Sequence, residues 1–166
     1  MDLKGKTHKF GDDVNTDYII SGRYKFKTLD MRELAKHVME DLDPDFYNKV
    51  NKGDFIVAGK NFGCGSSREQ APLAIINADV SAVIAKSFAR IFYRNCINTG
   101  LPLVECNTDL IDENDELQVE LDKGVLHNLT KNIDIEITPL PPVMLKILSD
   151  GGLVEHFKKY GTFNFD

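Results

Sequence analysis

The chain has 166 residues, of which 42% are hydrophobic and 28% charged, and its formal net charge is −6. This length suits one globular domain, and no apolar run approaches the roughly 18 residues that a membrane-spanning helix needs. An acidic chain argues against nucleic acid, because duplex binding usually requires a basic face. We therefore expect neither nucleic acid nor a membrane as a partner.

The N-terminus and the cysteines restrict the compartment and the chemistry. Residues 1–6 carry charges with no apolar stretch behind them, unlike a secretory signal, so we expect a cytoplasmic protein. Cys64, Cys96 and Cys106 are widely spaced and form no C-x-x-C pair typical of a zinc or redox site. A four-iron cluster needs several thiolates at suitable spacing. We therefore expect this chain to bind no metal and no cofactor of its own.

The first third of the chain predicts a strand, a polar loop and a helix. The strand is expected at residues 6–10, and the polar loop at 11–17 leads into the basic segment 23–27. From Asp30 onward apolar residues recur at helical spacing, and the Asp30 side chain is suited to cap that helix.

The middle third predicts alternating strands and helices. Residues 55–58 and 82–85 are short, continuous apolar runs, typical of strands covered on both faces. A glycine-rich turn at 63–70 and an apolar helix lie between them, and a second helix is expected at about 88–98. A strand, a glycine-rich turn and a helix make half of a βαβ unit.

The last third predicts a more β-rich structure. Alternating patterns indicate strands at 117–121 and 133–137, and short helices are expected near 143–148 and at 153–160. No repeat or linker divides the chain. The expected fold is α/β, a single compact domain with a mixed β-sheet flanked by helices.

Glycines and serines in the turn at 63–70 point to a binding site. Gly63 and Gly65 lack a Cβ, so the backbone there can take positive φ and approach a ligand closely. Ser66 and Ser67 each begin a capping-box pattern, which predicts a helix start with free N–H groups directed at an anion. From the residues alone, these serines could either cap the helix or take part in catalysis.

Basic residues in and around the turn also favour an anion-binding site. Arg68 carries a planar fork that can grip a carboxylate with two hydrogen bonds. Arg90 and Arg94 lie four residues apart on one expected helix face. They could pair with acidic residues in a structural role or line an interface. Pro72 is poorly placed inside a helix that starts at the serines, so the helix is expected to begin a residue later.

Three stretches occur in an order typical of one protein family. They are Asp12-x-Val14-Asn15-Thr16-Asp17, residues 53–69 and residues 82–95. Together they resemble the swivelling domain of the aconitase superfamily, and in particular the separate small subunits of 3-isopropylmalate dehydratase and homoaconitase. The resemblance implies one swivelling domain over residues 1–166.

The resemblance also implies a reaction and separate roles for this chain and a large subunit. A partner large subunit would carry a [4Fe–4S] cluster that acts as a Lewis acid on the hydroxyl of a small anionic hydroxy acid. Ser66 would be the catalytic base that takes a proton from the neighbouring carbon. Ser67 would hydrogen-bond the substrate, and Arg68 would bind its carboxylate. The supporting positions would be Asp17, Gly63 and Gly65, although an Asx turn before Tyr18 is an equally good reading of Asp17.

The segment after Gly22 is where this family selects its substrate. Here it reads Tyr24-Lys25-Phe26-Lys27-Thr28, one residue longer than the family pattern. Lys25 and Lys27 would bind a distal carboxylate, whereas Phe26 would face an alkyl group. We expect 3-isopropylmalate, and hence leucine biosynthesis, with homoaconitase-like or 2,3-dimethylmalate-like substrates as alternatives. A non-catalytic anion-binding regulatory module is the alternative from another class.

Overall fold

The structure is a computed structural model that describes residues 1–24 and 30–161. Within these ranges the strands are β1 (Asp2–Lys9), β2 (Phe55–Val57), β3 (Ala82–Ala85), β4 (Leu103–Glu105), β5 (Glu116–Glu120), β6 (Val125–Asn128) and β7 (Ile133–Glu136). The α-helices are α1 (Thr16–Ile19), α2 (Met31–Ala35), α3 (Phe46–Lys49), α4 (Gln70–Asn77), α5 (Arg90–Thr99), α6 (Pro142–Ser149) and α7 (Leu153–Tyr160). None of the described helices is long and apolar enough to cross a membrane.

The strands form one sheet with a parallel half and an antiparallel half that meet at β1. The order is β4-β3-β2-β1-β5-β6-β7. The pairs from β1 to β4 are parallel, and those from β1 through β5 and β6 to β7 are antiparallel. Helices α4 and α5 connect successive parallel strands, as crossovers in βαβ units do. The predicted α/β fold with a mixed, helix-flanked sheet is therefore confirmed.

The parallel strands are covered on both faces, as their continuous apolar runs predict. Every residue of β2 and β3 is buried. Ile56 packs into the core that holds α1, α2, α4 and α5, whereas Phe55 and Val57 join the core formed with β5, β6 and β7. Side chains alternate between the two faces because a strand has a period of two.

Several element boundaries agree closely with the sequence patterns. The third strand and the last helix have the predicted bounds, and Asp30 caps α2 by accepting a hydrogen bond from the Arg32 N–H at 2.9 Å. Helix α2 is shorter than its apolar spacing suggests, since turns follow Ala35. Strands β4 and β6 and helices α1 and α3 were not predicted.

The two capping boxes are wrong as a prediction of where α4 begins. The helix starts at Gln70, the residue before it is Glu69, and no side chain caps it. Pro72 explains the shift: it is the third helical residue, where its missing N–H has no partner to lose. A start at Ser66 or Ser67 would place it deeper, where the ring clashes with the carbonyl four residues earlier.

Candidate functional site

The loops that follow β1, β2 and β3 leave the sheet at one edge, because parallel strands share the edge where they end. Backbone hydrogen bonds hold these loops to one another. The Gly59 N–H donates to the Gly11 carbonyl at 3.0 Å, and the Lys86 N–H donates to the Gly59 carbonyl at 3.0 Å. Residues far apart in sequence therefore meet above the carboxyl ends of the strands.

The glycine-rich turn uses the conformational freedom of its glycines. Gly63 has φ +84° and Gly65 has φ +93°, as the sequence predicted. The Gly63 N–H donates to the Val14 carbonyl at 2.7 Å. A Cβ on Gly63 would lie only 2.2 Å from Cγ of Phe92, so the ring of Phe92 requires glycine at this position.

Thr16, which the sequence did not single out, holds the other side of the turn. It is the first residue of α1 and is 2% exposed. Its backbone N–H donates to the Cys64 carbonyl at 2.9 Å, and its hydroxyl donates to the Ser66 carbonyl at 2.7 Å. Ser66 and Ser67 themselves are exposed.

Arg68 is held by the N-terminal segment. Its Nη1 donates to the Ile20 carbonyl at 3.1 Å, and its Nη2 forms an ion pair with the Asp17 carboxylate. The Tyr18 N–H donates to Asn15 Oδ1 at 3.2 Å, and this hydrogen bond caps α1. Asp17 therefore contacts Arg68, and the capping turn before Tyr18 belongs to Asn15.

A cleft of about 230 Å³ lies between the glycine-rich turn and the start of α5. Its lining includes Ser66, Ser67, Arg68, Arg90 and Asn95. None of the lining residues that the structure describes is acidic, although the chain as a whole carries a net charge of −6. The cleft is therefore suited to a small organic anion.

The first turn of α5 lines the cleft from the side opposite the serines. Arg90 lines the cleft, so its position is not explained by a purely structural role on the helix surface. Asn95, one turn further along the helix, donates to the Ser67 hydroxyl at 3.4 Å. Sequence reasoning missed Asn95 because its partner lies 28 positions away.

The segment after Gly22 begins directly beside Arg68. A Cβ on Gly22 would lie 3.3 Å from Arg68 Nη2. Tyr24 fixes the start of this segment, since its hydroxyl donates to Glu40 at 2.5 Å and its ring stacks on His37. Lys25 and Lys27 lie outside the described residues, so their substrate-binding roles stay predictions.

Comparison with known proteins identifies the family. The family model of the aconitase C-terminal domain matches residues 15–108, a span that contains the glycine-rich turn and all the residues that line the cleft. The chain belongs to this family.

Individual members of the aconitase family are similar over nearly the whole chain. 3-Isopropylmalate dehydratase small subunit 2 of Archaeoglobus fulgidus is 63% identical over 161 residues, which cover 97% of this chain and 98% of that protein. Small subunit 1 of Thermotoga maritima is 52% identical over 162 residues, 97% of this chain and 98% of that protein. The crystal structure of 3-isopropylmalate dehydratase LeuD from Methanocaldococcus jannaschii matches with a TM-score of 0.93 and 52% identity, covering 97% of this chain and 96% of that one. The resemblance inferred from the motifs is confirmed.

An iron–sulfur cluster is the cofactor that the aconitase family implies, and the cysteines of this chain do not fit one. Burial raises the pKa of the Cys96 thiol well above its ordinary value and that of Cys106 to about 12. A four-iron cluster also needs several cysteines held together at suitable spacing. Across residues 1–24 and 30–161, no group of three His, Cys, Asp or Glu side chains is placed to hold a metal ion.

Proposed function

We propose that this chain is the small subunit of 3-isopropylmalate dehydratase, a hydro-lyase that acts together with a large subunit. The observation that carries this proposal is identity of 52–63% with proteins of that name over nearly their full length. The cleft supports it, because a small anionic hydroxy acid needs the positive charge that Arg68 and Arg90 supply.

Ser66 is the catalytic base of the proposed reaction. Its hydroxyl has no hydrogen-bond partner among the described residues, so it is free to meet a substrate. It takes the proton from the carbon next to the one that bears the leaving hydroxyl. Arg68 and Arg90 both line the cleft, and positive charge nearby favours the ionised form of a weak acid such as serine.

Ser67 and Arg68 bind the substrate in this proposal. Ser67 is exposed in the cleft and bonded to Asn95, which limits the positions of its hydroxyl. Arg68 is anchored by Asp17 and by the Ile20 carbonyl. A guanidinium carries five N–H donors in a fixed plane, so further donors serve a carboxylate. Asp17 supports the site by holding Arg68 in place.

The partner and the cofactor belong to the same proposal. The large subunit carries the [4Fe–4S] cluster and closes the cleft, and the chemistry at the leaving hydroxyl is assigned to it. Residues 1–166 act as one swivelling domain against that subunit, and the pair works in the cytoplasm.

Reconstitution with the large subunit encoded in the same genome tests the proposal. The pair should dehydrate 3-isopropylmalate faster than 2,3-dimethylmalate or homocitrate, measured by absorbance of the unsaturated product. Preference for homocitrate would instead assign the substrate to the homoaconitase type. A pair that assembles but turns over none of the three would favour an anion-binding regulatory module.

A further inference from the structure

Thr16 makes the only described contacts that join the N-terminal segment to both carbonyl groups flanking Gly65. Its N–H holds the Cys64 carbonyl at 2.9 Å, and its hydroxyl holds the Ser66 carbonyl at 2.7 Å. With 2% exposure, Thr16 is shielded from water that would compete for these bonds.

The conformation of the glycine-rich turn depends on hydrogen bonds from outside the turn. Gly65 has φ +93° and no side chain, and the nearest atom to a Cβ built on it is the Asn15 Cβ at 3.4 Å. Glycine leaves the backbone more freedom than any other residue. The direction of the peptide that follows Ser66 is therefore set by the hydroxyl of Thr16.

We propose that Thr16 is a positioning residue that fixes Ser66 for proton abstraction. This inference rests on the proposed function, in which Ser66 is the base. Thr16 does not transfer a proton itself, since its hydroxyl donates to the Ser66 carbonyl. It acts through the backbone, and a displacement of about 1 Å at a reacting group is enough to cost roughly a hundredfold in rate.

The residue that follows Thr16 in α1 holds a second group of the site. Asp17, the next residue, holds the guanidinium of Arg68. Two adjacent residues of one short helix thus hold the base and the carboxylate-binding group. The helix fixes the distance between the two, which a reaction on a single small substrate requires.

The test compares Thr16→Val, which keeps the branched shape and loses the hydroxyl, with Thr16→Ser, which keeps the hydroxyl. In the reconstituted pair, Thr16→Val should lower kcat by about ten- to a hundredfold with little change in KM, because Arg68 is still held by Asp17. Thr16→Ser should restore kcat to within a few fold of the wild type. If Thr16→Val does not fold, Thr16→Ala against Thr16→Ser makes the same comparison.

Thr108→Val is the matched control. Thr108 is also 2% exposed, and its hydroxyl also donates to a carbonyl 50 positions away, that of Ala58 at 2.8 Å. It should lose as much thermal stability as Thr16→Val while keeping kcat. Equal losses of kcat in the two valine variants, or a Thr16→Ser variant as slow as Thr16→Val, would overturn the inference.

Ser66→Ala, assayed beside these variants, separates this inference from the function it rests on. If Ser66→Ala is inactive and Thr16→Val is normal, only the role of Thr16 fails. If Ser66→Ala keeps its turnover, the assignment of the base fails, and the role of Thr16 fails with it.

Discussion

Arg68 is the residue whose surroundings most constrain its role. Its guanidinium lies between Asp17, the Ile20 carbonyl and Gly22, and its side chain is 15% exposed. A charged group held this closely loses little freedom when it binds a ligand, which favours binding. Because the Asp17 side chain is 61% exposed, the ion pair is accessible from solvent.

Arg68→Lys keeps the charge and removes the planar fork, so it should weaken substrate binding more than it slows the chemical step. A lost charge-assisted hydrogen bond costs about 1.5–3 kcal/mol, which corresponds to about a ten- to hundredfold rise in KM. Asp17→Asn, which loosens Arg68 without removing it, should show a smaller rise. Steady-state kinetics of the reconstituted pair measure both. An unchanged KM in Arg68→Lys would contradict carboxylate binding by this side chain.

At the scale of elements, the sequence predicts best where local chemistry decides the structure. The run Ala82–Ala85 is apolar on every residue and bounded by polar ones, and it forms β3 as predicted. Gly100 ends α5 with φ +90°, a conformation that glycine adopts at little cost. These features depend on a few neighbouring residues, which a reader of the sequence can see.

The sequence predicts less where two local signals compete or where a distant contact decides the structure. Two capping boxes pointed to a helix at the serines, but Pro72, a competing local signal, determines that α4 begins at Gln70. Ser66 and Ser67 are thereby left in an exposed turn instead of a helix cap. Thr16 was missed because its hydroxyl meets a carbonyl 50 positions away, and no local pattern encodes such a contact. The residue types of the site were thus predictable, whereas the residue that holds the turn was not.

Ionic contacts at the junction between α6 and α7 should make the stability of the fold depend on pH. His156 Nδ1 lies 2.6 Å from Asp150 Oδ2, and Lys159 Nζ lies 3.2 Å from Asp150 Oδ1. The hydrogen bond from His156, followed by that from Lys159, lowers the pKa of the Asp150 carboxyl below its ordinary value of 3.8. A group with a lowered folded-state pKa stabilises the fold above its unfolded-state pKa, and this contribution is lost as the pH falls through the folded-state pKa.

Asp150→Asn should therefore lower the melting temperature at pH 5, and the gap to the wild type should close as the pH falls below about 3.8. Thermal melts of the isolated chain from pH 5 down to pH 2.5 measure this. Asp122→Asn is the control, since that carboxylate is half-exposed and its described ion pair is with the N-terminal amine at 3.6 Å. A gap that stays constant down to pH 2.5 would show that the ionised carboxylate is not the stabilising group.

At the scale of the whole molecule, the parallel half of the sheet assembles the site. Three segments at the carboxyl edge bring together residues 14–17, 63–68 and 89–95, and each set alone is incomplete. The cleft is open on one side and holds positive charge within an acidic chain. This arrangement fits a subunit that supplies a base and anion-binding groups while a partner supplies the rest of the active site.

The proposed role of Ser66 as the base is tested by kcat of the reconstituted pair carrying Ser66→Ala, beside Ser67→Ala. Ser66 is exposed and caps no helix, so Ser66→Ala should keep the wild-type melting temperature and still bind the large subunit. Its kcat on 3-isopropylmalate should fall by at least about 10²–10⁴-fold, the contribution expected of a general base. Ser67→Ala should mainly raise KM. A Ser66→Ala pair with near-normal kcat, together with an inactive Ser67→Ala pair, would show that Ser66 is not the base and assign that role to Ser67.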